Sequence, residues 1–372
     1  MADAAAAQTR PRYEVVSVGA SESRQSAGRW LLRISGLAFL TIFVFQALYT
    51  AELSSFGFPN WQPVLIAFLL YGVAIAVSQI LIHSERGQQI LFVLPALLFT
   101  IAMVIFPTIF GLFIAFSDWN LSSLNGRKFN GIDNLTQMAT DPYFWNALGN
   151  MVLYVLAVLV QYVIAFGLAL LLNADIRARK FFRVAFLLPF MLSPVAVSWM
   201  IGKSIMENRF GPLAQVAHWL GIKNPAFFAD PWIARLSIMA MDAWVSIPFI
   251  MILLLAGLQA LPQEVKEAAK VDGANAWQGF WEITFPLMLP VSLTAVVLRI
   301  IFELKLADIV INVTAGAPGG ATDTVSSFIY REYRDRSNVG YGTMLAEVYL
   351  VIIIVFVTLL LGFVSKFMKR MT

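Results

Sequence analysis

Cysteine is absent from all 372 residues, and histidine occurs twice. The first absence excludes disulfides, thiolate-bound metals and thiol nucleophiles, and it leaves the redox compartment unreadable. The second argues against a metal site, because His83 and His218 lie far apart in the chain. Charge is scarce too: Asp, Glu, Lys and Arg make up 13% of the residues, about half the share of a soluble domain. No convergent set of acid, base and metal-ligating side chains stands at a membrane edge, so no catalytic residue is nominated. A phosphate-binding loop is also missing. Gly202, Lys203 and Ser204 imitate the end of one, but the place of its first glycine is held by Val197. No nucleic-acid partner is expected.

What the chain has in abundance is hydrocarbon, with 59% hydrophobic residues. That composition belongs in a lipid bilayer, where length is counted in spans of about 20 apolar residues. Eight candidate spans follow: 30–50, 62–82, 90–117, 147–173, 182–203, 234–258, 283–305 and 345–367. All are read as helices, because hydrocarbon offers no water to an unpaired backbone. The fold class expected is therefore an all-α polytopic membrane protein with about eight transmembrane helices. Residues 1–29 are small, polar and Arg-bearing, without a cleavable signal pattern, and read as a disordered cytoplasmic tail before an uncleaved span.

Orientation comes from Lys and Arg. With the N-terminus inside, the inner segments hold the tail arginines, Arg86, the dense run "RARKFFR" (177–183), Lys266 and Lys270, and the cluster Lys366, Lys369 and Arg370. The outer segments hold fewer, which is the positive-inside bias and places both termini in the cytoplasm. Outer segments 118–146, 204–233 and 306–344 are long enough to receive a soluble partner. Trp119, Trp145, Trp199, Trp219 and Trp232 fit an interfacial aromatic belt better than a binding platform. The Asn120 and Asn312 glycosylation patterns are of a kind common by chance.

One stretch breaks the hydrophobic rhythm. "EVKEAAKVDGANAWQGFWEITFPLMLP", residues 264–290, puts good helix formers and the small Ala268 and Ala269 ahead of a Gly273 break. A second short helix is expected from an Asn275 cap with Gln278 three residues on. Pro286 and Pro290 then fall near the start of the seventh span, where Pro290 could bend it. The result is a polar knuckle of helix, turn and helix hung between two spans, on the cytoplasmic side by the charge bias.

This knuckle resembles the EAA loop of ATP-binding-cassette importer permeases, matching at Glu267, Ala268, Ala269, Asp272, Gly273, Ala274, Phe280, Ile283, Pro286 and Pro290. "IPFIMILLLAGLQALPQE" before it and "LADIVINVTAGAPGGATDT" after it are similar to the carbohydrate-uptake, maltose-type branch, as are "DPYFWNALGNMVLYV" and "RKFFRVAFLLPF". The resemblance implies a six-helix permease core over 88–372, with the EAA loop at 259–282. Residues 30–87 are then two additional N-terminal helices. It further implies a bacterial cytoplasmic (inner) membrane, a second permease subunit, and a dimer of ATP-binding subunits that carry ATP and Mg, with no cofactor in this chain. An extracytoplasmic solute-binding protein would deliver a sugar or polyol. Coupling to the ATPase would fall to Glu267, Ala268, Ala269, Asp272, Gly273 and Ala274. On this reading the chain is a transport subunit rather than an enzyme.

Charges inside spans are costly and mark where solute could pass. Asp242 lies in the sixth expected span, Arg299, Glu303 and Lys305 in the seventh, with Asp308 just beyond. Positions that contact sugar in maltose-type permeases flank the EAA loop, and the resemblance carries that role to Asp242, Ser246, Phe249, Arg299 and Glu303. Arg299 and Glu303 share a helix face, so an ion pair tying helices together is the competing reading. Carboxylates and an aromatic ring suit a polyol or monosaccharide, while Arg299 equally suits a phosphate, sulfonate or uronate. The alternative function is an ion-gradient-driven secondary transporter, which calls for an inverted repeat that the sequence does not display.

Overall fold

The computed structural model describes residues 21–369 except 52, 84 and 125. The chain forms two compact units, Met1–Ile109 and Phe110–Thr372. Among the described residues seven helices are long and apolar enough to cross a membrane, and one bent pair makes an eighth candidate. Long rows of Leu, Ile, Val and Phe lie exposed along their outward faces, a surface that hydrocarbon rather than water would cover.

In the first unit α1 (Glu22–Thr50) and α2 (Gln62–His83) run antiparallel. The register is visible in their contacts. Phe39 stacks on Tyr71 at 5.7 Å, while nearer the turn Gln46 donates to the Phe58 carbonyl at 3.2 Å and accepts from its N–H at 2.9 Å. The helix begins at Glu22 rather than at residue 30, so the last part of the expected tail is helical. Ser21 precedes it and Glu22 places an acid in the first turn, where the helix dipole favours one. The rest of that tail lies outside the described residues. A third span, α3 (Leu91–Ala115), widens into a π-helical turn over Ile101–Ile105, directly ahead of Pro107.

The second unit is built round α5 (Pro142–Asn173), which follows a short helix α4 (Asp133–Thr140), and α9 (Pro231–Ala260). Both long helices open on the same dipeptide. Asp141 accepts from Tyr143 N at 2.8 Å, Asp230 accepts from Trp232 N and Ile233 N at 2.9 Å, and each is followed by a proline at the first helical position. Ala165 and Ala169 of α5 let α9 approach, so Ile250, Leu254 and Leu258 bury completely against them. A Cβ on Gly257 would meet Met288 and Val291 at 2.9 Å, which is how closely the next span passes.

That span, α11 (Ala276–Glu303), differs from expectation at its start. The second short helix of the knuckle is not separate but runs on into the span, through a π-helical turn at Gly279–Thr284. Thr284 Oγ1 closes the turn on the Gly279 carbonyl at 3.0 Å, and Pro286, which has no N–H to give, follows it.

The expected continuous fifth span is corrected. Residues 182–203 form two helices, α6 (Arg179–Met191) and α7 (Pro194–Ile205), bent by 96°. Pro189 disturbs the end of the first, and Ser193 with Pro194 starts the second, the Ser193 hydroxyl accepting from Ala196 N at 3.2 Å. The remaining elements are α8 (Pro212–Trp219), α10 (Gln263–Val271), α12 (Asp308–Val313), α13 (Val325–Tyr330) and the last span, α14 (Val339–Lys369). A two-stranded ribbon pairs β1 (Ser117–Asp118) with β2 (Lys128–Phe129).

Candidate functional site

Three regions of the second unit hold the residues singled out above, and each is built differently. At the centre, Asp242 on α9 and Arg299 and Glu303 on α11 meet, joined by Gln161 on α5. Arg299 Nη2 forms ion pairs with both carboxyl groups. Arg299 Nε donates to Gln161 Oε1 at 2.9 Å, Gln161 Nε2 donates to Asp242 Oδ2 at 2.8 Å, and Ser246 Oγ donates to Asp242 Oδ1 at 3.4 Å. Exposures of 5% for Asp242, 3% for Arg299, 1% for Glu303 and 2% for Gln161 mean that the cluster is sealed. The guanidinium is therefore engaged inside the protein through Nε and Nη2. Phe249 stands apart from this knot: it stacks on Phe190 at 5.6 Å and meets Phe302 edge-on at 5.5 Å, while Lys305 lies over Phe302.

The ion-pair reading of Arg299 and Glu303 is the one this geometry displays. The pair does share a helix face and does tie helices together, yet it does so around a third charge from another span. Gln161 was not singled out from sequence. A carboxamide in the middle of an apolar run is the available signal.

Toward the opposite end from the knuckle, residues 314–324 are not a plain outer loop. Gly320 through Val325 are buried. Asn146 donates to the Gly320 carbonyl at 2.6 Å, Asn150 to the Asp323 carbonyl at 3.0 Å, and Tyr154 to the Thr322 carbonyl at 3.1 Å. Arg235 Nε binds the Ala321 carbonyl at 2.8 Å and Asn150 Oδ1 at 3.0 Å. Asp323 forms an ion pair with Arg331 and accepts from Ser327 at 3.1 Å. Burial pushes the Asp323 carboxyl up to about 6, although Arg331 and Ser327 pull the other way. Lys203, from the false phosphate loop, donates to the Val313 carbonyl at 2.7 Å and so serves this latch. Arg235 lies at the start of the sixth expected span, and nothing in the pattern of its neighbours announced its partners.

Segments 118–146 and 306–344 are tied together as well. Gly340 N bonds the Trp119 carbonyl and Leu121 N the Ser337 carbonyl, both at 2.9 Å. Asn120 is held by this contact through the Arg336 carbonyl. His218 Nδ1 lies 3.1 Å from the Ile222 carbonyl, a local contact.

The knuckle is the third region. α10 ends at Gly273, whose φ of +81° suits glycine, and Ala274 N reaches back to the Ala269 carbonyl at 3.0 Å. The expected capping box is present, with Asn275 N donating to Gln278 Oε1 at 3.0 Å and Gln278 N to Asn275 Oδ1 at 2.9 Å. Glu267, Ala268, Asp272 and Gly273 are exposed, and Ala269 and Ala274 half-buried. Ala269, Ala274, Trp277 and Phe280 share a cavity of about 670 Å³ with Leu170 at the end of α5. Phe280 anchors the knuckle by packing edge-on against Phe166 at 5.6 Å, leaving Val271 at 86% and Trp277 at 71% exposure. That surface can be gripped.

Comparison with known proteins gives the family of the chain. Residues 162–371 match the family described as binding-protein-dependent transport system inner membrane component. The sulfoquinovosyl glycerol transport system permease protein of Agrobacterium fabrum is 31% identical over 266 residues, covering 71% of this chain and 86% of the relative. The trehalose/maltose transport system permease protein of Thermococcus litoralis is 29% identical over 275 residues, covering 74% and 92%. Among solved structures, a bacterial transporter for the acidic polysaccharide alginate, in complex with an alginate-bound periplasmic protein, has a chain similar in fold. It aligns with a TM-score of 0.63 at 21% identity, over 84% of this chain and 98% of that one.

Proposed function

Because the chain belongs to the family of binding-protein-dependent transport system inner membrane components, we propose that it is one of two permease subunits of an ATP-driven importer for a sugar, polyol or sugar derivative. The observation that carries the proposal is the knuckle: an exposed, doubly capped polar element at the end of an otherwise apolar helix bundle. Glu267, Ala268, Ala269, Asp272, Gly273 and Ala274 form its presented surface, and on this reading an ATPase subunit grips them from the cytoplasm. ATP and Mg are consumed on that partner. Both termini and the knuckle then share the cytoplasmic side, residues 30–87 are additional to a six-helix core over 88–372, and a binding protein delivers solute from the other face. The ion-gradient alternative loses its basis in the family assignment.

Movement follows from how the knuckle is attached. α9 leads into it and α11 leaves it, and these two helices carry Asp242, Ser246, Phe249, Arg299 and Glu303. A displacement of the gripped knuckle is therefore delivered to the central cluster through the unbroken helix α11. Closure of the ATPases on ATP draws the knuckles together, opens the bundle outward and separates α9 from α11; hydrolysis resets it. Two carboxyl groups, a carboxamide and a hydroxyl freed by that separation accept and donate hydrogen bonds to the hydroxyls of a sugar. With two carboxyls against one guanidinium, the cluster favours a neutral polyhydroxylated solute over an anion. The relatives' names, sulfoquinovosyl glycerol among them, include both kinds.

The test is Glu267→Lys in the assembled complex. Uptake is expected to fall to background and the ATPase to dissociate, with the helical content of the chain unchanged. Normal uptake by an intact complex carrying this variant would refute the coupling role.

A further inference from the structure

Near the knuckle end, α6 leans against the last turns of α9 and leaves a cleft of about 240 Å³. Its walls are hydrocarbon, Leu187 from α6 with Met251, Ile252 and Leu255 from α9, and its polar end is formed by Arg183 and Gln259. Arg183 Nε is buried and, among the described residues, has no hydrogen-bond partner. A guanidinium N–H withdrawn from water without an acceptor is destabilising. Arg183 thus stands at the polar end of the cleft with its Nε unmatched by the chain itself.

The surroundings say what kind of acceptor would meet it. α6 opens with Arg179, Lys180 and Arg183 beside Phe181 and Phe182, which are exposed, and Arg177 precedes them. Among the described residues, Arg179 alone of these basic groups is spent locally, its Nε donating to the Leu172 carbonyl at 2.7 Å. Basic side chains mixed with exposed aromatics at the end of an apolar span mark the boundary of a bilayer and draw anionic headgroups. An anion alone would use the guanidinium and leave the apolar walls unexplained.

We infer that the cleft between α6 and α9 holds one anionic phospholipid from the leaflet on the knuckle's side. Its phosphate sits on Arg183 and Gln259, and one acyl chain lies along Leu187, Met251, Ile252 and Leu255. The lipid bridges the broken span to α9 just before that helix enters the knuckle.

Native mass spectrometry of the assembled complex, offered phosphatidylglycerol or phosphatidylcholine, tests the assignment. One phosphatidylglycerol is expected to be retained in preference to phosphatidylcholine. Arg183→Gln should lower that retention about tenfold, as loss of a charge-assisted hydrogen bond does. Ala256→Phe, which fills the cleft from the α9 side and keeps the guanidinium, should lower it as well, and so tests the site even if Arg183→Gln fails to assemble. Equal retention of both lipids, or unchanged retention in both variants, overturns the inference. So does displacement of the lipid by inorganic phosphate together with normal retention by Ala256→Phe, which would assign the site to a free anion.

Discussion

The two ends of the second unit are held by opposite means. In the knuckle, the hydrogen bonds that fix the chain join residues three to five apart, Asn275 with Gln278 and Ala274 with Ala269. In the latch at residues 314–324, Asn146, Asn150 and Tyr154 bind carbonyls 168 to 174 positions away in the chain. The knuckle is thus a local structure that keeps its shape while its surroundings move. The latch exists only while α5, α9 and the loop stay together. On the proposed function the difference has a use: an element gripped by a partner must be rigid within itself, whereas contacts drawn from remote segments are lost as a set. The central cluster lies between these regimes, its Asp242, Arg299, Glu303 and Gln161 drawn from three helices.

The comparison breaks most severely at the centre. Arg299→Met leaves two buried carboxyls facing each other without a cation and should cost about 3–5 kcal/mol, read as a large drop in thermal unfolding temperature in detergent. Adding Asp242→Asn to that variant should recover part of the loss. If Arg299→Met unfolds like the unaltered protein, the knot is not holding the helices.

At the latch, Arg235→Met removes a guanidinium that serves both Ala321 and Asn150, and should cost about 1–3 kcal/mol. Hydrogen exchange sharpens the contrast here. Faster exchange is expected in 146–154 and 314–324 together, regions remote in sequence, with 263–284 unchanged.

The knuckle should answer more weakly and only locally. Asn275→Ala deletes one half of the capping box, worth about 1 kcal/mol. Faster exchange confined to 271–284, with impaired ATPase docking and an unaltered unfolding temperature of the bundle, is the expected result. Spread of the effect to the latch would contradict the division drawn between them.

The latch also predicts a pH dependence. The Asp323 carboxyl titrates near 6 when folded against 3.8 when free, so between these values the folded chain binds a proton that the unfolded chain has released. Stability contributed by this group is therefore greatest below that window and falls as pH rises through it. Asp323→Asn should flatten the dependence of unfolding temperature between those pH values.

How legible each region was follows from the same distinction. The Asn275–Gln278 box and the Gly273 stop could be read from the sequence because the donor, the acceptor and the turn residue all stand within a few positions. The π-helical turn that fuses the second knuckle helix to its span could not, since its cause is the missing N–H of Pro286 acting together with the continuation of the helix beyond. The bend at Ser193 has a local signal, Pro189 four residues ahead of the Ser193–Pro194 pair, but hydropathy averaged over the window masks it. Asp242, Arg299 and Glu303 stood out as costly charges in hydrocarbon. That Gln161 completes them required the packing of α5 against α9, and sequence spacing carries no trace of that.

The sequence by itself determined that this is a chain of membrane-crossing helices, where most of them lie, and that one polar knuckle interrupts them. Those properties depend on runs of side chains and on hydrogen bonds closed over a few residues, where almost no chain entropy is lost in bringing the partners together. Tertiary structure alone decided that Arg299 is shared between two carboxyls, that residues 314–324 fold inward as a latch, and that Arg183 faces an apolar cleft with its Nε unmet. Each of these depends on which helix faces are pressed together, a choice made by shape and burial across the whole unit.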